Sequence, residues 1–301
     1  MKKVFLFAVC VLVTQVCASQ PVQERSPQKL KLLSWNIYML PGVLSNLNGR
    51  RAEAIGKWLA ASDYDIVVFQ EAFCPLARRK IRRLLETRFP YQAGPANQKL
   101  FSFKTNSGLW IFSTYPILSS QSIIFKNRHG WDALSRKGAL MVEINVNGAS
   151  VQIAATHLQN SGGAWLRHAQ CVEFYERLLK PNKKDCTPQL LCGDFNINKN
   201  SSQESYHFML TALDASDGDL TGNNKFTYDR LNNDLHVEKG TGRDLIDYIL
   251  LRKNGAWIDS PHRQIKVIKN RWHAHHEDLS DHYALEAEIH FTNFPAVITA
   301  R

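Results

Sequence analysis

Two kinds of apolar pattern alternate along the chain. Continuous runs at 30–38, 66–69 and 108–113 are apolar on both faces, which predicts strands buried on both sides. Residues 139–146 and 150–156 flank Asn147-Gly148, a dipeptide suited to a tight hairpin turn. Residues 190–196 and 245–251 repeat the buried-strand pattern, and Tyr283, Leu285, Ala287, Ile289 and Phe291 alternate as one face of a further strand. Helical spacing fills the intervals: Ala52, Ile55, Gly56 and Leu59 share one side of a helix over 49–61, and Leu76, Ile81, Leu84 and Leu85 do so over 75–88. Segments 165–180 and 203–213 are amphipathic in the same way. Strands alternating with such helices predict an α/β (α+β) fold of mixed sheets flanked by helices.

Two segments depart from the pattern. Residues 214–243 are rich in Asp, Asn, Gly and Thr, an irregular stretch of the kind that either folds over an active site or floats freely. Residues 265–276 are basic and aromatic, with Arg271-Trp272-His273 expected at a loop tip.

Composition narrows the class. In a chain of 301 residues, 1–18 carries Lys2 and Lys3, then an apolar core, then Val16-Cys17-Ala18, which reads as a cleavable secretory signal too short to hold a bilayer. A lipid anchor at Cys17 fits less well, since Val16 is bulky for that processing. Residues 19–29 read as a short leader, 30–293 as a single domain without linker or repeat, and 294–301 as a tail. Formal net charge is +10, which favours polyanions or anionic surfaces. The run Arg78-Arg79-Lys80 with Arg82-Arg83 reads as a solvated helix face. Cys74, Cys171, Cys186 and Cys192 follow the signal; an oxidising destination permits disulfides, and three pairings stay open. Their spacing fits no structural zinc site, so a metal here would be a hard cation held by oxygen.

Polar residues gather at the ends of the apolar runs. Asp194 and Asn196 stand two apart at the end of a buried strand, on one face, and Gly193 lets the backbone come close. Asn36 interrupts the first strand, either as a turn cap or as an amide facing a ligand. Glu71 ends the second strand with apolar residues behind it, a costly place for a carboxylate unless an arginine or a metal compensates it. His157 ends the hairpin's second strand, and Lys137 before Gly138 is either a phosphate contact or simply solvated. Asp247, embedded in Ile246-Asp247-Tyr248-Ile249, needs a partner, and a histidine requiring orientation is the natural one. Ser280-Asp281-His282 precedes the alternating strand.

Gathered at one rim, these groups have the chemistry of metal-assisted phosphate-ester hydrolysis. Glu71 with Asn36 would hold Mg²⁺, His282 oriented by Asp247 would take a proton from water, Asp194 and Asn196 would hold phosphoryl oxygens or a second metal, and His157 would stabilise developing charge.

With these residues assembled, the chain resembles the endonuclease/exonuclease/phosphatase superfamily and, within it, the secreted bacterial and neutral sphingomyelinases. The carriers are Trp35-Asn36-Ile37-Tyr38-Met39-Leu40-Pro41, Gln70-Glu71, Ser135-Arg136-Lys137-Gly138, Thr156-His157-Leu158-Gln159, Gly193-Asp194-Phe195-Asn196, Ile246-Asp247-Tyr248 and Ser280-Asp281-His282, spanning 31–291. The resemblance implies a four-layer α/β/β/α sandwich like that of deoxyribonuclease I, and cleavage of sphingomyelin to ceramide and phosphocholine by a monomer at the bilayer surface. It implies Glu71 as main Mg²⁺ ligand beside Asn36, with Asp194, Asn196 and Asp281 serving a second ion or the phosphate and His282 in the same metal-side set. Mn²⁺ or Co²⁺ would substitute. It further implies His282 as base, His157 as its electrophilic partner, Lys137 and Tyr38 at the substrate, and an aromatic hairpin near Trp272 at the membrane. The hairpin segment is short, and His273 stands where a second bulky apolar residue is expected. The competing readings are a secreted nuclease on the same scaffold, favoured by the basic charge, an inositol-phosphate phosphatase, and a catalytically silent membrane-binding effector.

Overall fold

The computed structural model describes residues 29–41, 45–99, 104–130, 134–236, 240–252, 254 and 258–291. The expected signal at 1–18, the leader up to Gln28 and the tail at 294–301 lie outside the described residues.

The amino-terminal half runs β1 (Lys29–Met39), α1 (Ser45–Ala60), β2 (Ile66–Ala72), α2 (Pro75–Leu85), β3 (Tyr91–Ala93), β4 (Trp110–Ser113), β5 (Ile117–Ile124), β6 (Gly138–Val146), β7 (Ala149–His157) and α3 (Ala164–Phe174). It continues through β8 (Gln189–Asp194), α4 (Gln203–Ala212), β9 (Ser216–Asp217), β10 (Asp219–Thr221), β11 (Tyr228–Asp229) and β12 (Arg243–Asp244). The final elements are β13 (Asp247–Arg252), β14 (His262–Lys266), β15 (Lys269–His273), β16 (His276–Asp278) and β17 (Ala284–His290).

The strands form two large mixed sheets, one ordered β10-β14-β17-β1-β2-β4-β3 and the other β5-β6-β7-β8-β13-β9. Strand alternation explains how they stack. Leu30 and Leu32 of β1 and Ile66 and Val68 of β2 join Ile153, Leu191 and Ile249 of the second sheet in one buried cluster. The opposite face of β1 and β2, through Leu33, Trp35, Val67 and Phe69, packs on Ile55 and Leu59 of α1 and Ile81 and Leu85 of α2. Cys171 and Phe174 of α3 and Tyr206 and Met209 of α4 cover the second sheet. The layers are helix, sheet, sheet, helix. Among the described residues no helix is long and apolar enough to cross a membrane.

Several expectations meet corrections. α3 passes at Tyr175 into a π-helical turn, Tyr175–Leu179, instead of running on as one α-helix. β5 escapes hydrophobic patterning because it is an edge strand whose central residues Leu118 to Ser122 face water. In α2 the buried face is Ala77, Ile81 and Leu85; Leu76 points outward, and Arg79, Arg82 and Arg83 are exposed as the charge run suggested. The described residues contain no disulfide: Cys74, Cys171 and Cys192 are buried thiols and Cys186 is exposed.

The assignment of Trp272 to membrane contact is overturned. Its side chain is 8% exposed, its indole N–H donates to the Asp278 carbonyl at 2.8 Å, and its ring stacks on His276 at 5.5 Å. The β15–β16 hairpin turns this ring toward α1 and leaves Lys269 and Arg271 outside, so the aromatic group cements the hairpin. Trp272→Ala is expected to lower unfolding free energy by about 3 kcal/mol through the cavity it leaves. Denaturant titration checks this, and a change in vesicle binding at unaltered stability would contradict it.

Candidate active site

Sheet register brings the separated polar residues together. β1 and β2 run parallel with Asn36 opposite Gln70, so both end at the same rim. β7 and β8 also run parallel, with His157 opposite Asp194, and antiparallel β13 sets Asp247 opposite Asp194. β17 returns antiparallel to β1 with Leu285 opposite Ser34, which leaves residues 280–282 beside Asn36. The Ser280 hydroxyl donates to the Asn36 carbonyl at 2.6 Å, and the Trp35 indole donates to the His282 carbonyl at 2.9 Å. Arg51, buried on α1, donates to the carbonyls of Ile37 at 3.0 Å and Leu279 at 2.9 Å and so ties these two segments together.

Local backbone geometry completes the convergence. By strand alternation Glu71 would follow Val67 and Phe69 toward the helices. Its φ of +56° breaks that alternation, and its carboxylate meets the Asn36 amide at 3.3 Å. Tyr38 and Asn196 are left-handed too, at +49° and +51°. A non-glycine residue held this way costs about 1–3 kcal/mol, and such strain gathers where geometry serves function. Gly193 meets the close-approach expectation: at φ +147° an added Cβ would lie 1.9 Å from the Thr156 carbonyl oxygen on the neighbouring strand. Gly193→Ala is accordingly expected to destabilise the fold by about 3 kcal/mol, read as a lower denaturant midpoint. An unchanged midpoint would mean that β7 and β8 separate freely.

The side chains form one network. The Asn36 amide also donates to Asp194 Oδ2 at 3.2 Å, and the same oxygen lies 3.4 Å from His157 Nε2 and 3.7 Å from His282 Nε2. His282 Nδ1 pairs with Asp247 Oδ2 at 2.9 Å, while the Asp247 backbone N–H donates to Thr227 Oγ1 at 3.2 Å. Asn196 Nδ2 and Lys137 Nζ both donate to the Leu158 carbonyl, at 3.1 and 2.9 Å, and Lys137 Nζ stands 3.2 Å from His157 Nε2. Asp281 and Tyr38 line the same open cleft of about 580 Å³ as Glu71, Lys137, His157, Asp194, Asn196 and His282. Asn36 is buried behind them, its amide on Glu71 and Asp194. Trp272 is the one sequence-predicted site residue with no place there.

Electrostatics sort these groups by charge. Burial, reinforced by Asp281, pushes Glu71 up to about 7, against the pull of Lys137 and His282. Burial and the neighbouring Asp247 push Asp194 to about 7 as well. Burial opposes the charged form of His282, yet the Asp247 carboxylate, with Asp194 and Asp281 beyond it, holds its pKa well above the usual range. His157 is driven well below, by burial and then by the Lys137 and His282 charges, and is a neutral imidazole.

The donor set fits a hard divalent cation. Glu71 Oε2 is buried without a hydrogen-bond partner. Glu71 Oε1, Asp194 Oδ2 and His157 Nε2 face one another, an acceptor-rich group in which added positive charge would favour the ionised form of both acids. Asp194, Asp247 and His282 also bring one ligating atom each within 4.8 Å of the others. Because Asp247 already holds His282 Nδ1, that trio reads as an oriented imidazole beside the acid, and Glu71 with Asn36 and Asp194 as the better cation ligands.

Sequence reasoning missed several lining residues. Tyr228 comes from the irregular 214–243 segment, Asp244 directly follows that segment, and Arg167 comes from the first turn of α3. Their signal was positional only: Arg167 stands one turn into α3, which Gly163 precedes.

Comparison with known proteins agrees with this geometry. A family model described as Endonuclease/Exonuclease/phosphatase family matches residues 33–282. Phospholipase C of Staphylococcus aureus is 28% identical over 302 residues, covering 88% of this chain and 88% of its own length. Sphingomyelinase C of Bacillus cereus is 28% identical over 295 residues, covering 86% of this chain and 88% of its own. The crystal structure of a beta toxin double mutant from Staphylococcus aureus with bound magnesium ions superimposes with a TM-score of 0.79 at 26% identity, over 88% of this chain and 100% of that one.

Proposed function

The chain belongs to the endonuclease/exonuclease/phosphatase family, and from that premise we propose that it is a divalent-cation-dependent phosphodiesterase cleaving sphingomyelin to ceramide and phosphocholine. One observation carries the reading: Glu71, Asp194 and His282, from three distant segments, meet in one cleft of a chain that sphingomyelinase C of Bacillus cereus matches over 86% of its length.

We assign the cation, Mg²⁺ with Mn²⁺ or Co²⁺ as substitutes, to Glu71, Asn36 and Asp194, with Asp281 at the edge of the set. When bound, it supplies charge that neutralises the anions holding a proton on His282 and that polarises a phosphoryl oxygen. Asp247 fixes the imidazole through Nδ1 and leaves Nε2 as the atom that takes a proton from water. As that proton leaves, the water oxygen bonds to phosphorus, and the bond from phosphorus to the ceramide oxygen breaks. The departing oxygen takes up a proton from solvent water. Lys137 and Asn196, both anchored on the Leu158 carbonyl, aim N–H donors at phosphoryl oxygens, and neutral His157 sits among them without adding charge. Tyr38 borders the cleft where the choline or sphingoid portion would lie. The protein would be exported by its signal at 1–18 and would act as a monomer at the bilayer surface.

The test is product analysis. Incubation with Mg²⁺ and sphingomyelin vesicles is expected to release phosphocholine, abolished by chelation and restored by added Mg²⁺. Nicking of plasmid DNA without phosphocholine release would replace this reading with the nuclease.

A further inference from the structure

The charge run on α2 suggests a solvated helix face, yet three of its arginines share a concavity. Arg78, Arg79 and Arg82 line a cleft of about 250 Å³ between α2 and the segment from β3 to β4. Helical spacing puts them there, since positions i, i+1 and i+4 fall within about 100° of one another. Lys80 turns elsewhere, to Glu53 at 3.1 Å, and Arg83 is exposed outside the cleft. No residue lines both this cleft and the catalytic one.

The polar side chains here present donors. The Trp110 indole donates to Gln92 Oε1 at 3.1 Å, and the Arg78 guanidinium donates to Gln98 Oε1 at 3.5 Å. Both glutamines therefore have their oxygen engaged and hold out an NH₂ group. Arg78 is fixed in place, because its Nη1 donates to the Ala72 carbonyl at 2.8 Å and the Phe73 carbonyl at 2.5 Å. Among the described residues the Arg79 and Arg82 guanidinium groups have no hydrogen-bond or ion-pair partner. No carboxylate lines the cleft, and α2 contains none.

Like charges one helical turn apart repel, so Arg78 and Arg82 hold a cluster that a counter-ion would relieve. Guanidinium forks match oxyanions in geometry, and hydrogen bonds between charged partners are stronger than neutral ones. A carboxylate brings two oxygens and one charge. A phosphate dianion brings more acceptors and a second charge, which suits three guanidinium groups and two amides better. A nucleic-acid strand would call for a longer basic track, with several phosphates neutralised in series.

We propose that the cleft between α2 and the β3–β4 segment is an anion-binding site, separate from the catalytic cleft, that takes a dianionic terminal phosphate on Arg79 and Arg82. Free inorganic phosphate and the phosphate end of a small monoester share this chemistry.

The experiment is isothermal titration calorimetry on the full chain in EDTA at constant ionic strength, with inorganic phosphate in one arm and phosphocholine in the other. The wild type is expected to bind inorganic phosphate saturably. Arg79→Gln combined with Arg82→Gln should weaken that binding at least tenfold. Arg50→Gln combined with Arg83→Gln removes the same charge from exposed positions outside the cleft and should change it less than twofold. Both double variants should melt with the wild type, since all four side chains are exposed. Phosphocholine binding that disappears with Arg79 and Arg82 extends the site to monoesters; binding of inorganic phosphate alone restricts it to the free ion. No saturable binding of inorganic phosphate, equal weakening in the two double variants, or binding that survives loss of Arg79 and Arg82 overturns the proposal. With neither Mg²⁺ nor lipid present, the outcome is independent of whether sphingomyelin is the substrate.

Discussion

Replacing His282 by glutamine is expected to lower turnover on sphingomyelin vesicles about a thousandfold, the usual weight of a positioned general base. Glutamine keeps an amide N–H that can reach Asp247, so the buried carboxylate is not abandoned. Alanine would strip Asp247 Oδ2 of its 2.9 Å partner in a place where its other oxygen already has none, and part of the lost activity would then be lost structure. The comparison must therefore include melting temperature and vesicle sedimentation, both expected to stay near wild type for His282→Gln. Near-normal turnover in that variant would strike His282 from the mechanism. Asp247→Asn is the companion: it retains volume but reverses the hydrogen-bond preference at Nδ1, and it should lower turnover by a smaller factor.

The second large effect belongs to Glu71. Glu71→Gln should weaken Mg²⁺ binding at least a hundredfold, because it removes the carboxylate whose outer oxygen is buried and unpartnered. The pH dependence has a definite sign. Glu71 and Asp194 sit at about 7 in the fold, well above the ordinary carboxylate value. Protons therefore bind the cation-free fold more tightly than the unfolded chain, and its stability falls as pH rises from about 4 toward 7, where the acids ionise without a counter-charge. Mg²⁺ should raise the melting temperature strongly above pH 7 and little at pH 5, where protons compete for the same oxygens. Cation-free Glu71→Gln should be more stable than cation-free wild type at pH 8. An equal Mg²⁺-induced shift in both proteins would remove Glu71 from the ligand set.

The sequence was most legible where burial left one interpretation. Asp247 among Ile246, Tyr248 and Ile249 demanded a partner, and the partner is the histidine anticipated for it. Gly193 announced a close approach, and the Thr156 carbonyl supplies it. Strands β1, β2, β4, β6, β7, β8, β13 and β17 and helices α1 to α4 follow from periodicity, because burial forces apolar patterning on them, whereas the short outer strands β3, β9, β10 and β14 had no such reading. Edge strand β5 lacks that forcing and carried no pattern. The turn of Glu71 out of its strand was invisible, since a left-handed dihedral at a glutamate has no signature in residue type. Trp272 misled for a related reason: an aromatic residue in a basic hairpin has the same composition whether its ring faces water or α1. Leu76 erred in the opposite direction, with helical spacing that placed it inside although it stands in the first turn of the helix and is exposed. Tyr228 belongs to the 214–243 segment, whose route no local pattern dictates, and Asp244 directly follows it.

The pairing of β1 with β17 has a consequence for the timing of activity. Lys29 and Glu288, 259 residues apart, are ion-paired across that seam, and such distant pairing forms late because the intervening loop must close first. A ribosome that has delivered the polypeptide only as far as α4 has already made Glu71, His157 and Asp194, but not His282 or the edge that orders Asn36. A partial product of translation therefore carries the acids without their base. On the proposed mechanism the cleft is complete only once β17 pairs with β1 and carries residues 280–282 to Asn36, so the last-made strand closes the site.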